Sequence, residues 1–310
     1  MKRPGKDAIR RWLGYAAFSW VTGLLFLYLT FPWEAVRQRV EQSLGELLSS
    51  PGVPVEVAVG EIRSWWITGA VVRHVAVTER PDGQASGTTF VLPEIRARLE
   101  ILPLLRARPT VEFSLPAGTG RIAGSVSGAR KENSLQLDLQ KVDLAKSKDF
   151  LGVLGLVMGA DLTSVDLAGT LDGKVNLSLG PTDPTTVRGT LDLVAQQAVI
   201  EGGHVGELDL PKVSLGTIEL KAHAGGGKLD FDRFVLRGGD VDLETESAGL
   251  VLNRNLGYSM PRGKVRLRLG QDLQRRIPYL GMGLSALHQP DREGYYAIPL
   301  GGTLRNPRFM

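Results

Sequence analysis

The chain has 310 residues, no cysteine, 38 glycines and 6% aromatic residues, a balance that excludes a disulfide scaffold and suits strands and turns better than a helical bundle. Its formal charge is +4, and the first eleven residues hold that whole excess: Lys2, Arg3, Lys6, Arg10 and Arg11 against Asp7. The rest is formally neutral, which argues against the basic footprint of a nucleic-acid binder, so no nucleic-acid partner is expected.

Residues 1–11 read as a basic cytoplasmic tail. From Trp12 to Trp33 the stretch WLGYAAFSWVTGLLFLYLTFPW carries no charge. About 20 apolar residues are enough to cross the hydrocarbon core as a helix. Trp12, Tyr15, Tyr28 and Trp33 stand toward its ends, where amphipathic rings favour the interface. The basic cluster before the span and Glu34 after it put the tail in the cytoplasm and everything beyond Trp33 across the membrane. A cleaved signal peptide wants small residues before the cut, and Tyr28-Leu29-Thr30-Phe31-Pro32-Trp33 offers poor ones. The expectation is therefore a single-pass transmembrane anchor over 12–33, with the bulk of the chain across the membrane from the tail.

Residues 34–50 have helical periodicity. Val36, Val40, Leu44, Leu47 and Leu48 share a face, Arg39, Gln42 and Glu46 lie away from it, and Pro51-Gly52 ends the run. Such a face can serve a membrane surface or a partner, but most amphipathic faces meet their own core, so this helix is expected to cap the end of the following domain.

From Val53 the period changes to two. VPVEVAV, AVVRHVAV, SLQLDLQ, GKVNLSL, KLDFDRFVL, GDVDLETES and GKVRLRL alternate apolar and polar residues. In LAGTLDGKVNLSL, Leu171, Gly173, Val175, Leu177 and Leu179 share one parity and Asp172, Lys174, Asn176 and Ser178 the other. Turn signals stand at Pro81-Asp82-Gly83, Pro181-Thr182-Asp183-Pro184, Gly202-Gly203, Gly225-Gly226-Gly227 and Gly238-Gly239. Gly-Thr-Leu at 169, 189 and 302 echoes without a strict period. DFLGVLGLVMG (149–159) and DLQRRIPYLGMGLSAL (272–287) read as short helices, the second interrupted at Pro278. The expected fold is mainly β: one domain over 53–310, a large antiparallel, curled or trough-like sheet with one or two short helices. An apolar face must face something; a closed barrel or a sandwich makes a dry core, an open trough leaves a groove for lipid, and alternation alone does not choose between them.

Two strands carry charge ladders. Asp240, Asp242, Glu244 and Glu246 share a parity, and Lys264, Arg266 and Arg268 share another strand's polar parity. An acidic ladder offers oxygen ligands for calcium, but no loop gathers these carboxylates around one ion; a solvated face with the basic strand nearby is the expectation.

The search for chemistry yields nothing to assign. His74, His204, His223 and His288 are far apart and match no close metal spacing. AHAGGGKLD departs from a phosphate loop at Ala222 and Leu229, and a hairpin accounts for its glycines. GYSMP and GLSAL fail the nucleophile elbow at Pro261 and Leu287. Asp161, Asp166 and Asp172 read as exposed strand residues rather than paired catalytic carboxylates. No catalytic, cofactor-binding or metal-binding residue is expected, and the chain is not expected to be an enzyme.

The anchor leading into FPWEAVRQRVEQSL, the strand-rich middle and the close YYAIPLGGTLRNPRF resemble type II secretion system protein N (GspN) in its longer form. The resemblance runs over nearly the whole chain; GGTLRNPRF, Gly301 to Phe309, is its most specific segment, and a similar ending occurs in AsmA-like envelope proteins. It implies a bacterial inner-membrane, non-enzymatic accessory of the machine that exports folded proteins, with its β domain over 53–310 and so the bulk of the chain in the periplasm, and with other type II secretion components as partners. The AsmA-like similarity implies lipid handling as the alternative.

Overall fold

A computed structural model describes residues 32–48, 54–65, 68–79, 87–105, 108–128, 133–158, 163–180, 184–205, 208–253, 256–304 and 306–309, with isolated positions between 12 and 30. The tail expected over 1–11 lies outside the described residues, as does most of the anchor expected over 12–33. Those described within it include Trp12, Tyr15, Phe18, Trp20 and Phe26, which are helical and exposed. Among the described residues, no helix is long and apolar enough to cross a membrane.

The amphipathic helix is α1 (Trp33–Leu48). Val40 and Leu44 pack on the cluster built by Val55, Val57 and Val59, so the helix covers the first strand, as its apolar stripe implies. Its Glu41 Oε1 also accepts the Val59 N–H at 2.8 Å.

The strands then follow in chain order: β1 (Val55–Trp65), β2 (Gly69–Glu79), β3 (Thr88–Leu99), β4 (Thr110–Ala117), β5 (Gly120–Gly128), β6 (Asn133–Asp143), β7 (Val165–Leu179) and β8 (Arg188–Val205). After them come β9 (Leu208–Asp209), β10 (Val213–Gly225), β11 (Lys228–Arg237), β12 (Val241–Val251), β13 (Met260–Leu269), β14 (Tyr296–Thr303) and β15 (Asn306–Phe309). They form a 15-stranded sheet in sequence order, with β9 branching from β8. The pairings are antiparallel, and β1 does not pair with β15, so the sheet is an open meander and not a closed barrel. The short helices are α2 (Ile101–Leu105), α3 (Lys148–Met158), α4 (Gln271–Arg276) and α5 (Pro278–Leu287). Pro278 opens α5, where its missing N–H costs nothing, and so divides the second expected helix in two. α2 has no counterpart in the sequence reading, because five residues are too few to display a helical period.

Register carries the apolar parity from strand to strand. Val142, Leu171, Ala195, Ile218, Leu236, Leu243, Leu267 and Tyr296 form one unbroken row across the sheet, each opposite the next. Directly opposed side chains share a face, so one surface of the sheet is apolar from β4 to β14 and the other polar. The alternation slips at His74, whose left-handed backbone (φ 54°) lets Val72 and Val75, of opposite parity, reach the same cluster.

Gly202-Gly203 corrects the sequence reading. These residues lie inside β8, not in a turn, with Gly203 paired to Val165. A Cβ on Gly203 would fall 2.2 Å from the Ser164 carbonyl oxygen, so this glycine serves close strand approach at a positive φ of 126°. The Gly-Thr-Leu echoes use the same device. Gly169 and Gly189 have φ of 129° and 146°, and a Cβ on Gly189 would meet the Asn176 carbonyl oxygen at 1.9 Å. The glycine run at 225–227 does make the expected hairpin, with Gly225 opposite Lys228.

Candidate functional site

The apolar face is the first candidate. Its ends are covered. At the amino-terminal end α1 and α3 supply Val40, Leu44, Val153 and Phe150 to clusters around Val77 and Ile122. At the other end Leu273, Ile277 and Leu284 of α4 and α5 pack on Leu269, Val265 and Ile298. Between these covers lies the middle of the face. There Leu177, Leu191, Leu220, Leu229, Phe231 and Phe234, from β7, β8, β10 and β11, are half-buried, while Ala195, Ala222 and Ala224 among them are buried. Phe231 and Phe234 lie 6.1 Å apart at 48°, a tilted pair in the range aromatic rings favour. At adjacent strand spacings of about 4.8 Å, four strands present an apolar strip about 15 Å across that no helix covers among the described residues. It can accept an apolar chain by contact alone.

Beside α3 a cavity of about 250 Å³ opens between the helix start and the ends of β3 and β4, lined in part by Leu92, Leu115, Ser147 and Phe150. Ser147 is buried, and its hydroxyl has no hydrogen-bond partner among the described residues.

The polar face is organised by ion pairs. The acidic ladder lies on β12, and β13, the basic strand, is its direct neighbour: Asp242 stands opposite Arg268, Glu244 opposite Arg266 and Glu246 opposite Lys264. Arg268 Nε donates to Asp242 at 3.1 Å, and Arg237 donates to Glu244 at 2.6 Å. Arg266 donates to Asp291 at 2.6 Å and Glu293 at 3.0 Å, which raises its pKa, and it stacks with Arg268 on the Tyr295 ring at 4.6 and 4.8 Å. These contacts commit Asp242 and Glu244 to guanidinium groups.

Asp240 is set apart from the ladder. Its Oδ2 accepts the Ser214 N–H at 2.9 Å and Arg276 Nη2 at 2.6 Å, while Arg276 Nη1 donates to the Lys212 carbonyl at 2.9 Å. The Ser214 bond first, then the Arg276 guanidinium, hold its carboxyl below the ordinary aspartate range. It joins β10, β12 and α4.

The histidines stay apart. His204 faces Asp209 at 2.6 Å, and His223 Nδ1 lies 2.9 Å from Asp232 Oδ1. Among the described residues, no group of three or more His, Asp or Glu is placed to hold a metal ion. Ser259 of GYSMP is fully buried, its hydroxyl accepting the Asn253 N–H at 3.1 Å, and Ser285 of GLSAL meets the Tyr296 hydroxyl at 3.0 Å. Both serines therefore bond within the fold. Asp166 is bound by Lys148, Asp172 accepts the Lys141 N–H at 2.9 Å, and Asp161 lies outside the described residues. Of the described two, Asp166 and Asp172 stand six residues apart on β7 and are not brought together as a catalytic pair.

Comparison of the chain with protein-family models, with curated proteins and with solved structures found no match.

Proposed function

We propose that the protein is a non-enzymatic component of the type II secretion apparatus, anchored in the inner membrane by residues 12–33, with its β domain in the periplasm. The observation that carries this reading is the order of parts: a charge-free, aromatic-flanked segment behind a basic tail, then one large one-sided antiparallel sheet. The resemblance of FPWEAVRQRVEQSL and GGTLRNPRF to GspN supplies the particular machine. Cross-linked affinity capture of the full chain from membranes is the test. Recovery of the inner-membrane platform or the outer-membrane channel supports it; recovery of neither, in cells that express the system, ends it. Topology has its own assay. The chain lacks cysteine, so a single cysteine at exposed Leu304 reports alone. Labelling by a membrane-impermeant maleimide in intact spheroplasts is the expected result.

A second reading, AsmA-like lipid binding, is favoured by the half-buried apolar strip on β7, β8, β10 and β11. Contiguous exposed apolar surface beyond a few hundred Å² usually marks a binding site. Mass spectrometry of lipids retained by the purified chain distinguishes the two: a stoichiometric lipid lost in Leu220→Arg supports the second, and a lipid-free chain removes it.

A further inference from the structure

The polar face of β3 to β7 carries a cleft of about 550 Å³. Its floor is made of short side chains: Ser114 of β4 stands opposite Ala123 of β5, and Ser125 follows on the same parity. Long side chains form the walls. Arg96 and Arg98 of β3 rise on one side, and Gln136 of β6, paired with Asn176 of β7, rises on the other. The cleft therefore follows the direction of β4 and β5. On the first wall Arg96 donates to Glu94 at 2.7 Å, and Arg98 donates at 2.6 Å to Glu112, a carboxylate of β4 that stands opposite Ser125 and bounds the short-chain floor at that end. Trp65 of β1 lies at the same wall, with the Arg96 guanidinium 5.9 Å from its ring centroid.

The rest of the polar face differs from this cleft in one respect. On β8 to β12 the long polar side chains are largely committed to one another: Lys221 to Asp192 at 3.2 Å, Arg233 to Glu219 at 2.7 Å and Arg237 to Glu244 at 2.6 Å. In the cleft, Ser114, Ser125, Gln136, Lys174 and Asn176 have no side-chain hydrogen bond or ion pair among the described residues. Two hydroxyls, two amides and one ammonium thus converge on a preformed channel with an aromatic ring at its wall.

We propose that this cleft binds an extended, hydroxyl-rich chain, an oligosaccharide. The free groups are both donors and acceptors, which matches hydroxyls and acetamido groups that do both. An indole offers a flat apolar surface for the carbon-bound hydrogens of a sugar ring. An extended peptide is a poorer match: peptides add to a sheet through its edge, and here both backbone edges of β4 and β5 are already paired. This site lies on the face opposite the apolar strip and stands independently of the secretion reading.

The test is calorimetric titration of the full chain in detergent with chitohexaose, cellohexaose and hexaglutamate. One of the two hexasaccharides is expected to bind at a single site with a dissociation constant of about 0.1 mM. Ser125→Trp, which fills the floor, abolishes that binding, and Trp65→Ala weakens it about tenfold. Lys221→Ala, on the same face outside the cleft, leaves it unchanged. Should Ser125→Trp not fold, the double variant Gln136→Ala/Asn176→Ala removes two amides without touching the floor and is expected to weaken binding about tenfold. No saturation by either sugar at about 10 mM, equal binding by the floor and amide variants, or binding of hexaglutamate alone overturns the proposal.

Discussion

Gly152 sits in α3 where the Phe90 ring comes up against the helix, and a Cβ there would lie 2.3 Å from Cε1 of that ring. Both sides of this contact are buried, so neither has room to move. Gly152→Ala is expected to lower the unfolding free energy by about 1–3 kcal/mol, measured by urea titration, despite the better helix propensity of alanine. Ser147 carries the opposite expectation. Its hydroxyl is buried without a partner, so Ser147→Ala is expected to raise stability by about 1 kcal/mol in the same assay. Asp240 has a pH signature. Its folded pKa is held below 3.8, so the ionised form is the one the fold stabilises. That contribution is complete above the unfolded value and is lost as pH falls through 3.8 toward the folded pKa. Asp240→Asn is therefore expected to lower the urea midpoint at neutral pH, and the gap to the parent chain should close as acidification passes below the unfolded value. A gap that stays constant with pH would show that the ionised carboxylate, held by the Ser214 N–H and Arg276, is not its origin.

The elements show how a long open sheet is managed. A free strand edge templates further strands. At β1 the helix α1 lies against that edge, and Glu41 takes up the Val59 N–H. Glu41→Ala is expected to cost about 1 kcal/mol and to raise the fraction of oligomer in sedimentation at matched concentration. A monomer unchanged in both respects argues that the helix backbone alone guards the edge. β12 and β13 were legible as an acidic and a basic strand from parity, and their pairing follows from strand order, since like charges directly opposed are unfavourable. Charge exchange tests the register. Asp242→Arg alone is expected to destabilise, and Arg268→Asp added to it to recover about 0.5 kcal/mol, a modest value because Arg268 is 45% exposed. Two features at this scale had no sufficient signal in the sequence. Ile101–Leu105 is too short for a period, and Gly202-Gly203 resembles a turn while serving close strand approach.

At the scale of the molecule, the sheet has two faces with different commitments. The apolar face is covered at its ends by α1, α3, α4 and α5 and left half-exposed over β7 to β11. The polar face is largely closed by ion pairs over β8 to β13, whereas in the cleft Ser114, Ser125, Gln136, Lys174 and Asn176 have no side-chain partner among the described residues. The cleft was missed in the sequence because Ser114, Ala123 and Ser125 are ordinary polar-face residues one strand at a time. A run of short side chains on adjacent strands between longer ones was its only signal, and reading that run requires the register.

Residue type and spacing alone determined the alternating strands, which side of each is apolar, the break at Pro278 and the helical stripe of α1. Each is set by the local period of the backbone, two for a strand and 3.6 for a helix, and needs no knowledge of neighbours. Only the tertiary structure decided that the sheet stays open, where the helices lie on it, and which polar side chains are left unpaired. Closure depends on twist and stagger accumulated over many strands, and pairing on cross-strand register, so both arise from residues far apart in the chain.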